Sequence, residues 1–530
     1  MGRVGEWLSL FDVKQLLFAE KASTDHPSKS EGERSVKTVM KTKWALVGLW
    51  FFGCGFAMHM VGNAMWAVAP WMALLLMLRF VRDTPAKIGL PLGAAGWALA
   101  HYAGWLGVLP LSGWTQWALP AAVGVMAFIP FAADRILGGY VPRGARWLVL
   151  PLSWVVTEAV VRLLGFGTWG ALAYSQHGLL ALLQGMAVLG LAWPALVVGA
   201  FASIANGLWE QPRRNWKLAV SYGLVLAITV MAGLVRLQLS EPQDEEVRVA
   251  GVVVDNREAF RATWGPLNNG QVLDAQALEE VRPTAKALFA NLLAHTQTAV
   301  AQGAEIVVWS EGNALVPAMD EAQLVSRASQ LAREEGVWLF IAMAVMEPEL
   351  NKAKNTVVVI DDKGMVVDRY LKSHPTPSEA SLKGDGLMRI IETPHGRIAL
   401  AICYDFDYPE LLAQAGRAGA DLLIDPSWDS PGMTPLHSNM AVARSIETGA
   451  ALFRPVNDGL SIATDGRGRS LSTLTVNYGQ NAVWIVHMPM KRRWALYPWI
   501  EPFIGAIAGG VMAALLACGM NLSLRRGGMA

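Results

Sequence analysis

Charge is what this 530-residue chain has least of: only 16% of it is Asp, Glu, Lys or Arg, against 53% hydrophobic residues. A soluble domain carries about 25% charged residues, so the chain is not one ordinary soluble domain. Cysteine is scarce too. Cys54, Cys403 and Cys518 are far apart and odd in number, which excludes a disulfide framework. No His/Cys cluster has zinc spacing, and there is no internal repeat or low-complexity segment. The same composition excludes disorder and collagen. The formal net charge of +1 averages unlike parts. Residues 1–43 hold 8 basic and 6 acidic residues, residues 44–240 hold 11 and 4, and residues 241–490 hold 20 and 32. The one strongly polar block is acidic, which argues against nucleic acid as a partner.

What the chain does have is long apolar runs. They fall at roughly 44–62, 64–80, 88–110, 115–133, 147–164, 186–208, 218–236 and 502–520, each long enough to cross a hydrocarbon core of about 30 Å. Several of the 22 Trp residues stand near their ends, among them Trp44, Trp66, Trp147, Trp216 and Trp499, as interfacial belts require. Basic residues cluster in every second loop: Lys37, Lys41 and Lys43; Arg79, Arg82 and Lys87; Arg135, Arg143 and Arg146; Arg213, Arg214 and Lys217; Arg525 and Arg526. Eight spans with both termini in the cytoplasm satisfy this alternation and put residues 241–490 outside. Lys491, Arg492 and Arg493 dissent, at the end of a long translocated segment where the charge rule is weak. The predicted division is a cytoplasmic extension over 1–43, a seven-span bundle over 44–240, a globular domain over 241–490, and a last span with its tail over 491–530. Within the extension, Trp7 to Phe18 reads either as an amphipathic interfacial helix or as a tail. Glu158 and Arg162, four residues apart in a span, read as an internal pair.

The polar block alternates strand and helix patterns. Strands are predicted at 247–255, 305–309, 337–346, 355–360, 365–371, 398–403, 421–425 and 450–455, with helices at 277–301, 320–335, 408–418 and 435–448. This is α/β with a mixed sheet. Three strands end on a chemically capable group: Glu311 after Val307-Val308-Trp309-Ser310, Lys372 after Arg369-Tyr370-Leu371, and Cys403 after Ala399-Leu400-Ala401-Ile402. Taken singly, each has an ordinary explanation as a solvated or packed residue. Together they supply what thiol-based acyl transfer needs: a nucleophile, a base and a cation for the oxyanion.

The order and surroundings of Glu311, Lys372 and Cys403 resemble the Glu–Lys–Cys triad of the nitrilase superfamily. That resemblance implies an α-β-β-α sandwich. A nitrilase-like domain set between seven spans and one more is similar to the apolipoprotein N-acyltransferase family. Gly165-Phe166 with Trp169 and Tyr174-Ser175-Gln176 match a segment of that family, as do His437, Met440-Ala441, Arg444, Glu447 and Gly449, and Arg454 with Asn457-Asp458-Gly459. Departures are visible. Ser310 replaces a Pro, Asp405 replaces a Glu, Ser427-Trp428-Asp429 replaces an Asn-Asp-x-Trp pattern, and Glu379 lies seven residues after Lys372 where the family has eight. Cys403-Tyr404-Asp405 followed by Tyr408-Pro409-Glu410 is closer to soluble amidases.

The resemblance implies Cys403 as nucleophile, Glu311 as base and Lys372 as oxyanion cation, with Glu379, Tyr404, Asp405 and Trp264 as supporting residues. It implies a phospholipid acyl donor, a diacylated apolipoprotein acceptor and a bacterial cytoplasmic membrane, the catalytic domain facing outward. The chemistry runs on side chains, with no cofactor and no metal. A membrane-anchored amidase and a domain that only binds remain the alternatives. His374 and His437 read as hydrogen-bonding residues rather than bases, Arg444 and Glu447 as a surface pair, and Trp264 as either a substrate wall or packing.

Overall fold

The computed structural model describes residues 29–111, 113–239 and 245–527. The Trp7–Phe18 segment and most of the Glu241–Glu246 linker lie outside the described residues. The chain forms two compact units, residues 1–48 and 49–530. The described part of the first is the beginning of a helix, Lys29–Ala57.

Among the described residues, five helices are long and apolar enough to cross a membrane: Thr115–Leu137, Arg143–Phe166, Ala192–Glu210, Pro212–Gln238 and Tyr497–Leu522. They fall on five of the eight predicted runs. The first two runs are interrupted differently from the prediction. Helix ends at Ala57 and resumes only at Ala69–Asp83, whose 15 residues rise about 22 Å, short of a full crossing. The third run is a 20-residue helix, Ala86–Trp105, with Pro91 inside it. The run at 186–208 breaks at Gly190, which has φ +56 and leaves no room for a side chain beside the Tyr497 ring. The charges inside the bundle are tied. Arg82 makes a bidentate pair with Asp134 at 2.8 Å to each oxygen. The expected Glu158–Arg162 pair is replaced. Glu158 accepts from the Trp154 indole and the Leu172 N–H, both at 2.9 Å, while Arg162 lies 2.9 Å from Glu501.

The polar block folds into two large sheets and a two-stranded ribbon, Ser427–Trp428 with Val456–Asn457. One runs Ala482–Pro489, Glu246–Val253, Ile306–Trp309, Trp338–Met346, Ala353–Ile360 and Val366–Leu371, with Ala314–Pro317 also paired to Trp338–Met346. The other runs Ser470–Val476, Gly459–Thr464, Ala451–Arg454, Leu422–Ile424, Gly396–Leu400 and Arg389–Thr393. Strict alternation sorts the first sheet's side chains. Val247, Val249, Ile306, Val308, Phe340, Val357 and Val359 pack against Ile398, Leu400, Leu422, Ile424 and Leu452 of the second sheet. Val252, Val307, Leu339, Ile341 and Val358 face the other way, onto the helices Ala275–Ala301 and Ala318–Glu335. The helices Pro409–Ala418 and Leu436–Thr448 cover the second sheet, and Leu436, Met440 and Ile446 also join the core of the membrane bundle. The fold is the expected α-β-β-α sandwich beside several apolar helices. Arg492, one of the dissenting cations, donates to the Thr448 carbonyl at 3.0 Å, where a cation suits a helix C-terminus.

Candidate active site

Parallel strands deliver the three groups to one place. Ile306–Trp309 and Gly396–Leu400 are interior strands of the two sheets, Val366–Leu371 is an edge, and the residues just beyond them converge between the sheets. Lys372 Nζ lies 2.7 Å from Glu311 Oε1 and 2.6 Å from Glu379 Oε2. Asn355 Nδ2 donates to both carboxylates, at 2.7 Å to Glu311 and 2.8 Å to Glu379. The Trp428 N–H donates to the second Glu311 oxygen at 2.9 Å, and the Cys403 thiol points at the carbonyl of that same residue, 3.7 Å away. The backbone of one residue, Trp428, thus faces the carboxylate with its N–H and the thiol with its carbonyl. Cys403 takes a left-handed backbone, φ +51, which a non-glycine residue adopts only where its surroundings impose it. Its N–H is held by Asp425 Oδ1 at 2.8 Å.

Burial governs the electrostatics. Lys372, Glu311 and Cys403 are 1%, 3% and 4% exposed, so water screens none of them. Burial, reinforced by Glu311, raises the Cys403 thiol well above its usual range although Lys372 pulls the other way. Burial also raises Glu311, opposed by Lys372 and aided by Glu379. For Lys372 burial works against the charge, but Glu311 and Glu379 outweigh it and keep the ammonium protonated. The site therefore rests with a neutral thiol beside an ammonium. It can accept a thiol proton at Glu311 when the sulfur attacks a carbonyl.

The four supporting residues fall at different distances from the thiol. Glu379 joins the lysine despite its shorter spacing. Asp405 is buried under the loop that follows Lys372, accepting from the N–H groups of Ile402, Ser373 and His374, the Tyr370 hydroxyl and the His374 ring. It ties the lysine's loop to the cysteine's. The Tyr404 ring is buried edge-on against Tyr408. Trp264 packs against Trp428 and over Gly312, whose φ of +59 and missing side chain let both rings approach. His374 stacks on Tyr408 at 3.7 Å, and His437 bridges two carboxylates, so both are hydrogen-bonded as expected. Arg444 and Glu447 overturn the surface-pair reading: they are fully buried, 2.7 Å apart, and Arg444 also donates to Tyr174. Asn355, Asp407 and Asp425 were not singled out from sequence. The available signal was polarity in apolar company: Asn355 inside the strand Ala353–Ile360, and Asp425 directly after Leu422–Ile424.

The ligand atoms of Cys403, Asp429 and His437 lie within 4.8 Å of one another, a grouping able in principle to hold a metal. The Arg454 guanidinium, however, occupies both Asp429 oxygens at 3.0 Å and lies 2.9 Å from His437 Nδ1. A cation already fills the place a metal would take, so the donor set does not fit one.

A family model for carbon-nitrogen hydrolases matches residues 275–488. The apolipoprotein N-acyltransferase of Brucella suis biovar 1 is 28% identical over 500 residues, covering 83% of this chain and 87% of its own. That of Rhodopseudomonas palustris is 27% identical over 445 residues, covering 76% and 78%. The deaminated glutathione amidase of Rattus norvegicus is 34% identical over a shorter stretch of 146 residues, 24% of this chain and 44% of its own. The N-acyltransferase likeness spans helices and sandwich together, whereas the amidase likeness is confined to a quarter of the chain. The chain is thus similar to apolipoprotein N-acyltransferases over most of its length, with a carbon-nitrogen hydrolase domain at residues 275–488.

Proposed function

We propose that this membrane protein transfers a fatty acyl chain from a phospholipid to the N-terminal amine of diacylglyceryl-cysteine lipoproteins, through a thioester on Cys403. The observation that carries the reading is the buried Glu311–Lys372–Cys403 constellation in a chain whose apolar helices would hold it at a lipid surface. In the first half-reaction Glu311 takes the thiol proton as the sulfur attacks the ester carbonyl. Lys372, with the Tyr404 N–H, stabilises the oxyanion. The C–O bond breaks, Glu311 returns the proton to the leaving alcohol, and lysophospholipid departs. In the second, the lipoprotein amine attacks the thioester and gives its proton to Glu311. The C–S bond breaks, an amide forms and the thiol is regenerated. Glu379 and Asn355 hold the lysine and the base in register, and Trp264 with Trp428 walls the site.

The same reading places the protein in a bacterial cytoplasmic membrane, with eight spans, both termini inside and residues 241–490 outside. The alternating basic loops support this arrangement. A second reading, a membrane-anchored amidase, draws on the Tyr408-Pro409-Glu410 sequence and the short amidase likeness. One experiment separates them. Purified protein is incubated with phospholipid, with and without a diacylated lipopeptide bearing a free amine, and Cys403 is followed by mass spectrometry. A transferase shows a long-lived acyl adduct that the lipopeptide discharges into an N-acylated product. Prompt release of fatty acid, indifferent to the lipopeptide, would replace it with the hydrolase.

A further inference from the structure

We propose that the turn Gly165–Trp169, where a helix leaves the membrane bundle, positions the Cys403 thiol through a buried chain of charges: Asp407, His437, Asp429 and Arg454. The turn grips the segment just after the nucleophile at four points. The Trp169 indole N–H donates to Asp407 Oδ2 at 2.7 Å, and the Thr168 hydroxyl to the Asp407 carbonyl at 3.1 Å. The Tyr408 hydroxyl donates to the Gly165 carbonyl at 2.8 Å. Gly167, at φ +57, lies so close to Asp407 that an added Cβ would stand 2.8 Å from the aspartate's own.

From Asp407 the contacts run inward and return to the cysteine. Asp407 Oδ2 lies 3.3 Å from His437 Nε2, and His437 Nδ1 lies 2.7 Å from Asp429 Oδ1. Arg454 Nη2 is 2.9 Å from that same nitrogen. With a carboxylate oxygen facing each ring nitrogen, both nitrogens donate and the imidazole is a cation. Asp429 holds Arg454 by both oxygens, Arg454 Nε donates to Asp425 at 2.9 Å, and Asp425 accepts the Cys403 N–H. The circuit starts four residues after Cys403 and closes on its backbone. Its members are all buried, and Asp429 directly follows the residue whose carbonyl receives the thiol. Five charged side chains with neighbours this close have few alternative arrangements, so a shift of the turn is passed on to the sulfur. In this reading His437 and Asp407 are positioning residues. The catalytic base and oxyanion cation are elsewhere.

The inference rests on Cys403 being the reactive thiol, and its test does not need the acyl donor. The full-length protein in nanodiscs is alkylated with iodoacetamide between about pH 7 and 10, and the Cys403 peptide is followed by mass spectrometry. Trp169→Phe keeps an aromatic ring but loses the indole N–H, and His437→Gln removes the cation. Each should slow alkylation about tenfold across the pH range, with the double variant no slower than the slower single, as residues on one path require. Additive losses, about a hundredfold in the double variant, would overturn the coupling, as would single variants that alkylate at the wild-type rate. Where a thermal melt shows that either variant has lost its fold, Asp407→Asn replaces it in the same cycle, with the same two outcomes. Wild-type protein that alkylates at Cys403 but never takes up an acyl group would remove the transferase reading alone.

Discussion

A thiol this deeply buried does not ionise by itself at neutral pH, and the residues around Cys403 explain how it can still act. Trp428 ties Glu311 to the thiol, its N–H donating to the one and its carbonyl accepting from the other, and the lysine between Glu311 and Glu379 offsets charge that would otherwise repel a thiolate. Cys403→Ala should abolish the acyl adduct, while Cys54→Ala and Cys518→Ala leave it intact, as intact-mass measurement will show. Glu311→Gln keeps the shape but loses the base and should slow both half-reactions by about 10²–10⁴-fold. Lys372→Met should slow them by about 10²–10³-fold in the same assay. Asn355→Leu strips one donor from two facing carboxylates. We expect a folded protein whose adduct forms about tenfold more slowly, since a buried acceptor is left unpaired. Glu311, Lys372 and Cys403 could be read from the sequence because each stands at or just beyond the end of a predicted strand. Asn355 could not be assigned a role, because its partners come from Glu311 and Glu379, 44 and 24 residues away. Asp407 has the same difficulty, its partner Trp169 lying 238 residues upstream.

At the scale of elements, even the short apolar strands Ile306–Trp309 and Leu422–Ile424 were legible, whereas Gly459–Thr464, Ser470–Val476 and Ala482–Pro489, interrupted by polar residues, were not predicted. Ser427–Trp428 is a two-residue strand paired with Val456–Asn457, too brief to carry a pattern, yet its Trp428 N–H and carbonyl face Glu311 and Cys403. In the bundle, the apolar runs were visible but their interruptions were not, because Gly190 and the Ala57–Ala69 connection break helices for reasons of packing rather than hydropathy. The helix Leu436–Thr448 carries a pH-sensitive group. Burial opposes the charge on His437, but Asp429 and Asp407 outweigh it and raise its pKa from 6.5 to about 9. A group raised on folding stabilises fully below its unfolded value and loses that contribution as pH climbs through the folded one. The melting temperature should therefore fall between about pH 6.5 and 9, and His437→Gln should flatten that fall. An unchanged slope in the variant would assign the loss to other groups.

For the molecule as a whole, the alternating basic loops make a topological prediction. A reporter fused after Gln243 should register the external side and one after Arg526 the cytoplasmic side. Finding both on one side would dismiss the eight-span arrangement. The split into bundle and sandwich was legible because charge density changes sharply near residue 241. The contacts that weld them were not, since Arg444–Tyr174 and Trp169–Asp407 each join segments distant in sequence. The thiol's resting hydrogen bond to the Trp428 carbonyl has a bearing on survival. On the external side that the proposed topology gives this domain, a lone cysteine would meet oxidants and disulfide carriers for as long as the protein lasts, and these react with thiolate rather than thiol. A sulfur kept protonated until a carbonyl arrives is spared that attrition. Protein left for hours with oxidised glutathione should keep Cys403 free by intact mass, while Lys372→Met and wild type, differing in catalysis, should share this durability.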